Sequence, residues 1–236
     1  MKNINKSKIL LVLCAFALNL SFSDILHAEA GLLEFGFFGG LSIPNDKVSN
    51  FFTREEISGR IDNANSIGNF ITKSASDLGY HLGVRLRGDV SNNVYLQGGV
   101  SFHRFNQGIY DLSIKKENST EDINATCYAT TNIIPISFGI NCYLFKGFVG
   151  AYLLGDLTYN IISTSLEADA GNSQSLPIAT TYNDSRPGCD VGAGIDFDLE
   201  LFLLNIEGRY NFANIIARDT DEPIKNYVSI SVGVTF

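Results

Sequence analysis

Large apolar side chains return at every second position in several separate stretches of the chain. The clearest is the last. From Asn226 to Phe236, Val228, Ile230, Val232, Val234 and Phe236 alternate with Tyr227, Ser229, Ser231, Gly233 and Thr235. A strand turns successive side chains to opposite faces, so this segment predicts five large apolar groups on one face and small groups on the other. Seven earlier stretches read the same way, over residues 33–43, 78–87, 94–105, 134–144, 148–161, 189–197 and 202–212. In the second, Leu78, Tyr80, Leu82, Val84 and Leu86 alternate with Gly79, His81, Gly83, Arg85 and Arg87. In the sixth, Cys189, Val191, Ala193, Ile195 and Phe197 alternate with Asp190, Gly192, Gly194 and Asp196.

The connections between these strands alternate too. Those after strands two, four and six are short, at 88–93, 145–147 and 198–201. Those after strands one, three, five and seven are longer and polar, at 44–77, roughly 106–130, 162–188 and 213–225. Tight turns at one end and long loops at the other mark a bacterial outer-membrane barrel, with turns toward the periplasm and loops outside. An even strand count puts both termini on the periplasmic side. The expected fold is all-β: a transmembrane, antiparallel, up-and-down barrel of about eight strands. A soluble sandwich has no reason to alternate its connections. A closed soluble barrel of the lipocalin kind is the main rival, with its polar face outside. The polar face here is rich in Gly and carries Arg, His, Asp and Glu, which suits a narrow interior better. The aromatic at Phe236 fits a strand ending at the membrane interface, and residues Tyr227, Val228, Ile230, Val232, Val234 and Phe236 read as the signal offered to the barrel-assembly machinery.

Residues 1–30 read as a secretory leader and 31–236 as the barrel domain. Lys2, Lys6 and Lys8 precede an apolar run from Ile9 to Leu18 that is too short to span a bilayer. Ala28-Glu29-Ala30 gives a cleavage pattern before Gly31, with a cut after Ala28 as the alternative. Beyond it no apolar stretch is long enough for a spanning helix, so insertion requires a closed barrel. The whole chain has 17 basic and 25 acidic residues; residues 31–236 keep 14 and 23, a net charge of −9. Such acidity, without a basic patch, excludes nucleic acid as a partner. The expected surroundings are outer-membrane lipid, after export in a Gram-negative cell. Three cysteines follow the leader: Cys127, Cys142 and Cys189. Cys142 falls on an apolar face as a small lipid-facing group. Cys127 and Cys189 both sit near outer strand ends, which leaves a bridge between them open. No Cys or His spacing suggests a metal site, and no cofactor is expected.

Segment 44–77 has Phe51, Phe52, Ile57, Ile61, Ala64, Ile67 and Ile71 at roughly helical spacing, after a Thr53-Arg54-Glu55-Glu56 start. It predicts either a short amphipathic helix at the barrel mouth or an extension of strands one and two beyond the membrane. It is also the candidate contact for an extracellular partner.

Strands four to eight carry a resemblance. Asn132-Ile-Ile-Pro-Ile-Ser-Phe-Gly-Ile-Asn-Cys-Tyr-Leu144 resembles a strand of the porin-like outer-membrane β-barrel domain family, and Phe148-Val-Gly-Ala-Tyr-Leu-Leu-Gly155 resembles its next strand. Asp190–Ile195, Glu207–Ile215 and Ile224–Val234 follow in the family's order. The resemblance covers 132–236 well and 31–105 loosely. It implies an eight-stranded outer-membrane barrel and no shared enzymatic activity; one branch of the family assists protein secretion.

Candidate chemistry lies inside. Arg85, Arg87, Asp156, Asp190, Asp196, Glu207 and Arg209 all share the inward face. Buried charges must be paired or hydrated. They therefore read first as a salt-bridge network filling a narrow lumen, and second as the lining of a small-solute pore. His81 and His103, also inward, read as filling and hydrogen bonding. Gly192-Ala193-Gly194 reads as strand glycine, not a nucleotide loop, and no catalytic motif appears, so an enzyme is not expected.

Overall fold

The computed structural model describes residues 33–45, 64–74, 77–116, 123–169, 179–216, 218 and 224–236. The leader over 1–30, its boundary with the barrel domain, and the helix start at Thr53–Glu56 lie outside the described residues. Nine strands are seen among them: β1 Leu33–Pro44, β2 Ala64–Ser74, β3 Asp77–Ser91, β4 Val94–Lys116, β5 Ile123–Phe145, β6 Val149–Asp169, β7 Ala179–Asp198, β8 Leu203–Phe212 and β9 Asn226–Thr235.

Eight of these close a ring. The order β4-β3-β1-β9-β8-β7-β6-β5 runs antiparallel throughout, and β5 returns to pair with β4. The seam joins β1 to β9, from Gly36 opposite Thr235 to Pro44 opposite Tyr227. Closure gives each backbone amide in the lipid a partner on a neighbouring strand, which an open sheet cannot do. The tight turns fall where the alternation predicts, at 92–93, 146–148 and 199–202. In the last, Glu200 takes a left-handed conformation (φ 66°), and the Asp198 side chain accepts a hydrogen bond from its amide at 2.9 Å.

The apolar face points outward. Leu82, Phe138, Leu153, Leu157, Ile206 and Val232 are all exposed on the outside of the ring, and Leu157 is 73% exposed. A belt of this extent is not tolerated on a water-facing surface. The soluble lipocalin-like alternative is thereby overturned: here the apolar face is outside and the charges are inside. Among the described residues no helix is long and apolar enough to cross a membrane.

Two expectations need correction, and one question left open is answered. The long polar connections at 106–130 and 162–188 are largely strand. β4 and β5 each run 23 residues, and β6 and β7 run 21 and 20. A transmembrane strand needs only about 9–11, so these four pass well beyond the bilayer. Outside the membrane both faces are wet. The ladder continues there while the apolar alternation that betrays it stops.

The second correction concerns the amphipathic helix. Ala64–Ser74 is a strand, β2, laddered on the outer half of β4 from Ala64 opposite Lys116 to Ser74 opposite Ile109. Beyond Asn106, β4 has an edge that β3 no longer covers, and its unpaired amides draw the segment into a ladder despite the helical spacing. The alternative of an extended second strand is the one observed there.

The open question is the bridge between Cys127 and Cys189. Cys189 is a free thiol. It faces Leu157 across the β6–β7 ladder, whereas Cys127 lies on β5 opposite Ala168. A whole strand separates the two, placing them about 10 Å apart sideways alone, beyond the reach of a disulfide. Cys142 is also free, on the outward parity expected of it.

The lipid belt predicts a depth-dependent cost. Leu153→Arg, near the middle of the spanning part of β6, should destabilise the folded barrel by about 2–4 kcal/mol. Glu167→Arg, on the outer extension of the same strand, should change it by no more than about 0.5 kcal/mol. Urea unfolding in lipid vesicles, followed by the shift between folded and unfolded gel mobility, measures both.

Candidate functional site

An eight-stranded ring leaves an interior just wide enough for side chains to fill. Arg85, Arg87, Asp156, Asp190, Asp196, Glu207 and Arg209 lie inside it, and the strands bring them into two groups stacked along the axis.

The first group sits at mid-barrel. Arg209 on β8 holds three carboxylates. Its guanidinium lies 2.5 Å from Glu207, 2.6 Å from Asp156 and 3.2 Å from Asp190. Asp156 and Asp190 stand directly opposite each other on β6 and β7. Like charges so placed repel, and one shared arginine offsets that repulsion. Glu207 also takes Arg85 from β3 at 2.6 Å and the Tyr152 hydroxyl at 2.8 Å. The Gln97 amide donates to both oxygens of Asp156, at 2.7 and 2.9 Å. Arg85 further donates to Asn205, and its guanidinium stacks 5.2 Å from the Phe38 ring. The group therefore bridges the lumen from β3 to β8, from β8 to β6 and β7, and from β6 to β4.

The second group lies nearer the tight turns. Arg87, fully buried, pairs with Glu34 at 3.0 Å and Asp196 at 3.3 Å, and donates to the Tyr143 hydroxyl at 3.1 Å. Tyr143 in turn donates to Asp196.

Toward the outer end the chemistry changes. The His81 and His103 rings stack with centroids 4.8 Å apart, and both Nδ1 atoms meet the Ser42 hydroxyl, at 3.0 and 2.9 Å. His103 Nε2 meets the Ser101 hydroxyl at 3.0 Å. Beyond them Phe105, Ile133, Ile162, Ala213 and Tyr227 form a buried apolar cluster. Between the mid-barrel charges and the histidines a void of about 30 Å³ is lined by Phe38, His81, Gln97, Asp156, Asp190 and Arg209 among others. That is room for roughly one or two waters.

The glycines on the inward face make room for these side chains. A Cβ at Gly194 would overlap the Tyr152 ring, and one at Gly192 would press on Arg209 and the backbone of Gly208. The Gly-Ala-Gly of β7 is thus clearance for the network. On β9, Val228, Ile230, Val232, Val234 and Phe236 face outward while Tyr227 is buried inside.

Alternation puts Tyr143 and Tyr152 on the inward face, where they bond Asp196 and Glu207. It misses Ile133 and Ile162 of the outer cluster, which lie just beyond the alternating stretches 134–144 and 148–161. The two isoleucines each adjoin an outward one, Ile134 and Ile161. Such apolar doublets erase the alternation, so neither face can be told from the residue type. Among the described residues no three His, Cys, Asp or Glu groups are placed to hold a metal ion.

A closed, lipid-belted ring with charges inside and tight turns at one end is the architecture of an outer-membrane barrel. Residues 15–236 match the family described as outer membrane protein beta-barrel domain. The chain belongs to that family, and its place is the outer membrane. No curated protein matches it. Among solved structures it is similar to Ail, the attachment invasion locus protein of Yersinia pestis, at 12% identity and TM-score 0.42, over 88% of this chain and 100% of that one. It is also similar to Neisserial surface protein A, at 13% identity and TM-score 0.41, over 86% and 95%. A third is the outer membrane protease OmpT from Escherichia coli, at 11% identity and TM-score 0.43, over 87% and 93%.

The network predicts strong non-additivity. Arg209→Ala leaves three carboxylates without their shared cation and should destabilise the barrel by about 3–5 kcal/mol. Adding Asp156→Asn should recover part of that loss, because it removes one uncompensated charge. Unfolding free energies of both variants and of Asp156→Asn alone give the coupling; simple additivity would show that the pair does not interact.

Proposed function

We propose that the protein is a closed outer-membrane scaffold that presents its outer strands for contacts outside the cell and neither conducts solutes nor catalyses a reaction. The observation that carries this reading is the filled lumen. Arg85, Glu207, Arg209, Asp156 and Asp190 bridge it from wall to wall, and an apolar cluster stops its outer end. A permeating ion would have to part buried ion pairs and then cross apolar side chains. Either step is costly, because a buried charge that loses its partner is left in a low-dielectric space.

The outer halves of β4 to β7 support a role in contact. They extend by about ten residues more than a membrane strand requires, and β2 adds an edge to them. The segment 44–77 is the candidate partner contact, and its second half is an edge strand. Inside the cell envelope, the outward apolar face of β9 supports its reading as the strand offered to the barrel-assembly machinery. A secretion-accessory role is the weaker reading, because the turns at 92–93, 146–148 and 199–202 offer little surface to a periplasmic partner.

Planar-bilayer recording on the refolded barrel, folded by its unheated gel mobility, tests the scaffold against the pore. The expected result is no discrete conductance steps. Reproducible steps whose cation–anion preference shifts in Arg85→Glu or Arg209→Glu would replace the scaffold with a narrow pore through these charges.

A further inference from the structure

The tight-turn end of the barrel has a second feature that the filled lumen does not absorb. A cavity of about 310 Å³ opens there, lined by Glu34, Tyr95, Tyr143, Lys146, Asp196 and Asp198, with two glycines and Leu203 beside them. The Tyr95 and Tyr143 rings stand 5.4 Å apart with their planes at 56°. The Lys146 ammonium sits over both, 4.4 Å from the Tyr95 centroid and 5.0 Å from that of Tyr143, and donates to the Tyr95 hydroxyl at 2.9 Å. A cation over two tyrosine faces is held by the ring quadrupoles.

Three further observations show that this mouth has capacity for more than its own lysine. First, among the described residues Glu34, Asp196 and Asp198 oppose only Arg87 and Lys146 here, which leaves one negative charge in excess. Second, Asp196 is 3% exposed, and while its Oδ2 takes Tyr143 and Arg87, its buried Oδ1 receives no hydrogen bond. Buried carboxylate oxygens without donors are rare in folded proteins, and Arg87 Nε and Nη2 in the same cluster also lack hydrogen-bond acceptors, so the polar lining of this mouth is under-satisfied as a whole. Third, Lys146 lies in the exposed turn between β5 and β6 and enters from the solvent side, so it can swing out without disturbing the ladder. Arg87, by contrast, is locked beneath the tyrosines by Glu34 and Asp196.

We propose that the periplasmic mouth is a binding site for a primary alkylammonium compound, with the Lys146 side chain as a tethered occupant that such a ligand displaces. The lysine side chain beyond its Cα is itself a butylammonium, so the aromatic pair already displays the chemistry it selects. A primary ammonium brings three N–H donors. One meets Tyr95 as Lys146 does, and the others can serve the carboxylates that line the cavity, Glu34 and Asp198 among them. A quaternary ammonium would keep the ring attraction and lose the donors. This site goes beyond the scaffold reading and stands whether or not the barrel conducts.

The probe is n-butylammonium chloride, titrated calorimetrically into the folded full-length barrel at about 0.15 M salt, where exposed charges are screened beyond roughly 8 Å. Lys146→Ala should bind it saturably and at least tenfold more tightly than the unaltered protein. Adding Tyr95→Ala should abolish that gain. Should the double variant fail to show folded gel mobility, Asp198→Asn in the Lys146→Ala background should weaken binding several-fold instead. Absence of saturable binding in Lys146→Ala, or equal affinity with and without Lys146, overturns the site. Tetramethylammonium binding as tightly as butylammonium overturns the assignment to a primary amine.

Discussion

Every backbone amide that enters the bilayer must find its partner within the protein, and the rest of this structure follows from that constraint. Among the described residues no helix is long and apolar enough to meet it alone, so the strands meet it by closing on one another, β1 against β9. Closure with eight strands fixes a narrow bore. A narrow bore admits side chains but little water, and so each inward charge must be answered by another. Arg209 with its three carboxylates and Arg87 with its two are the local solutions. The same bore explains the small residues among the charges. Long arginines and tyrosines can cross it only where the facing strand carries no Cβ, as at Gly194 beneath Tyr152.

The same constraint sets how much of the barrel is legible in its sequence. Alternation exposes the eight ring strands because lipid outside and a filled bore inside impose opposite demands on neighbouring residues. It also points Arg85, Arg87, Asp156, Asp190, Asp196, Glu207 and Arg209 inward, since a charge on a lipid-facing position would be ruinous. Who pairs with whom is not legible. Pairing depends on the stagger of the ring, which brings Arg209 of β8 against Asp156 two strands away. Residue type at a single position carries no record of that stagger. The outer cluster is hidden for another reason. Ile133 beside Ile134 and Ile161 beside Ile162 present apolar groups to both faces at once, and the period of two vanishes.

Beyond the membrane, alternation no longer reports a strand. The outer halves of β4 to β7 have the polar composition of loops on both faces, yet β5 and β6 ladder from Thr126 opposite Asp169 down to Tyr143 opposite Tyr152. Polarity reports where water is, not whether amides pair. The 64–74 segment shows the same distinction from the other side. Its isoleucines fit a helical face, but a helix there would leave the edge of β4 uncovered, and the ladder prevails. Helical spacing and loop-like polarity are both overruled by the need of each backbone amide for a partner.

The two ends of the bore then differ in a way that follows from their surroundings. At the outer end the barrel rises into extended strands, and inside it Phe105, Ile133, Ile162 and Tyr227 pack on one another, with the buried Thr131 and Thr164 hydroxyls bonded to each other nearby. At the tight-turn end the strands stop at connections of two to four residues. Inward positions there meet solvent within a residue or two, so charges such as Glu34 and Lys146 reach water at little cost. An apolar stopper below the outer strands isolates whatever is bound above from whatever is bound below. The outer sheet and the turn-side mouth are thus separated by the buried ion pairs around Arg209 and by the apolar cluster.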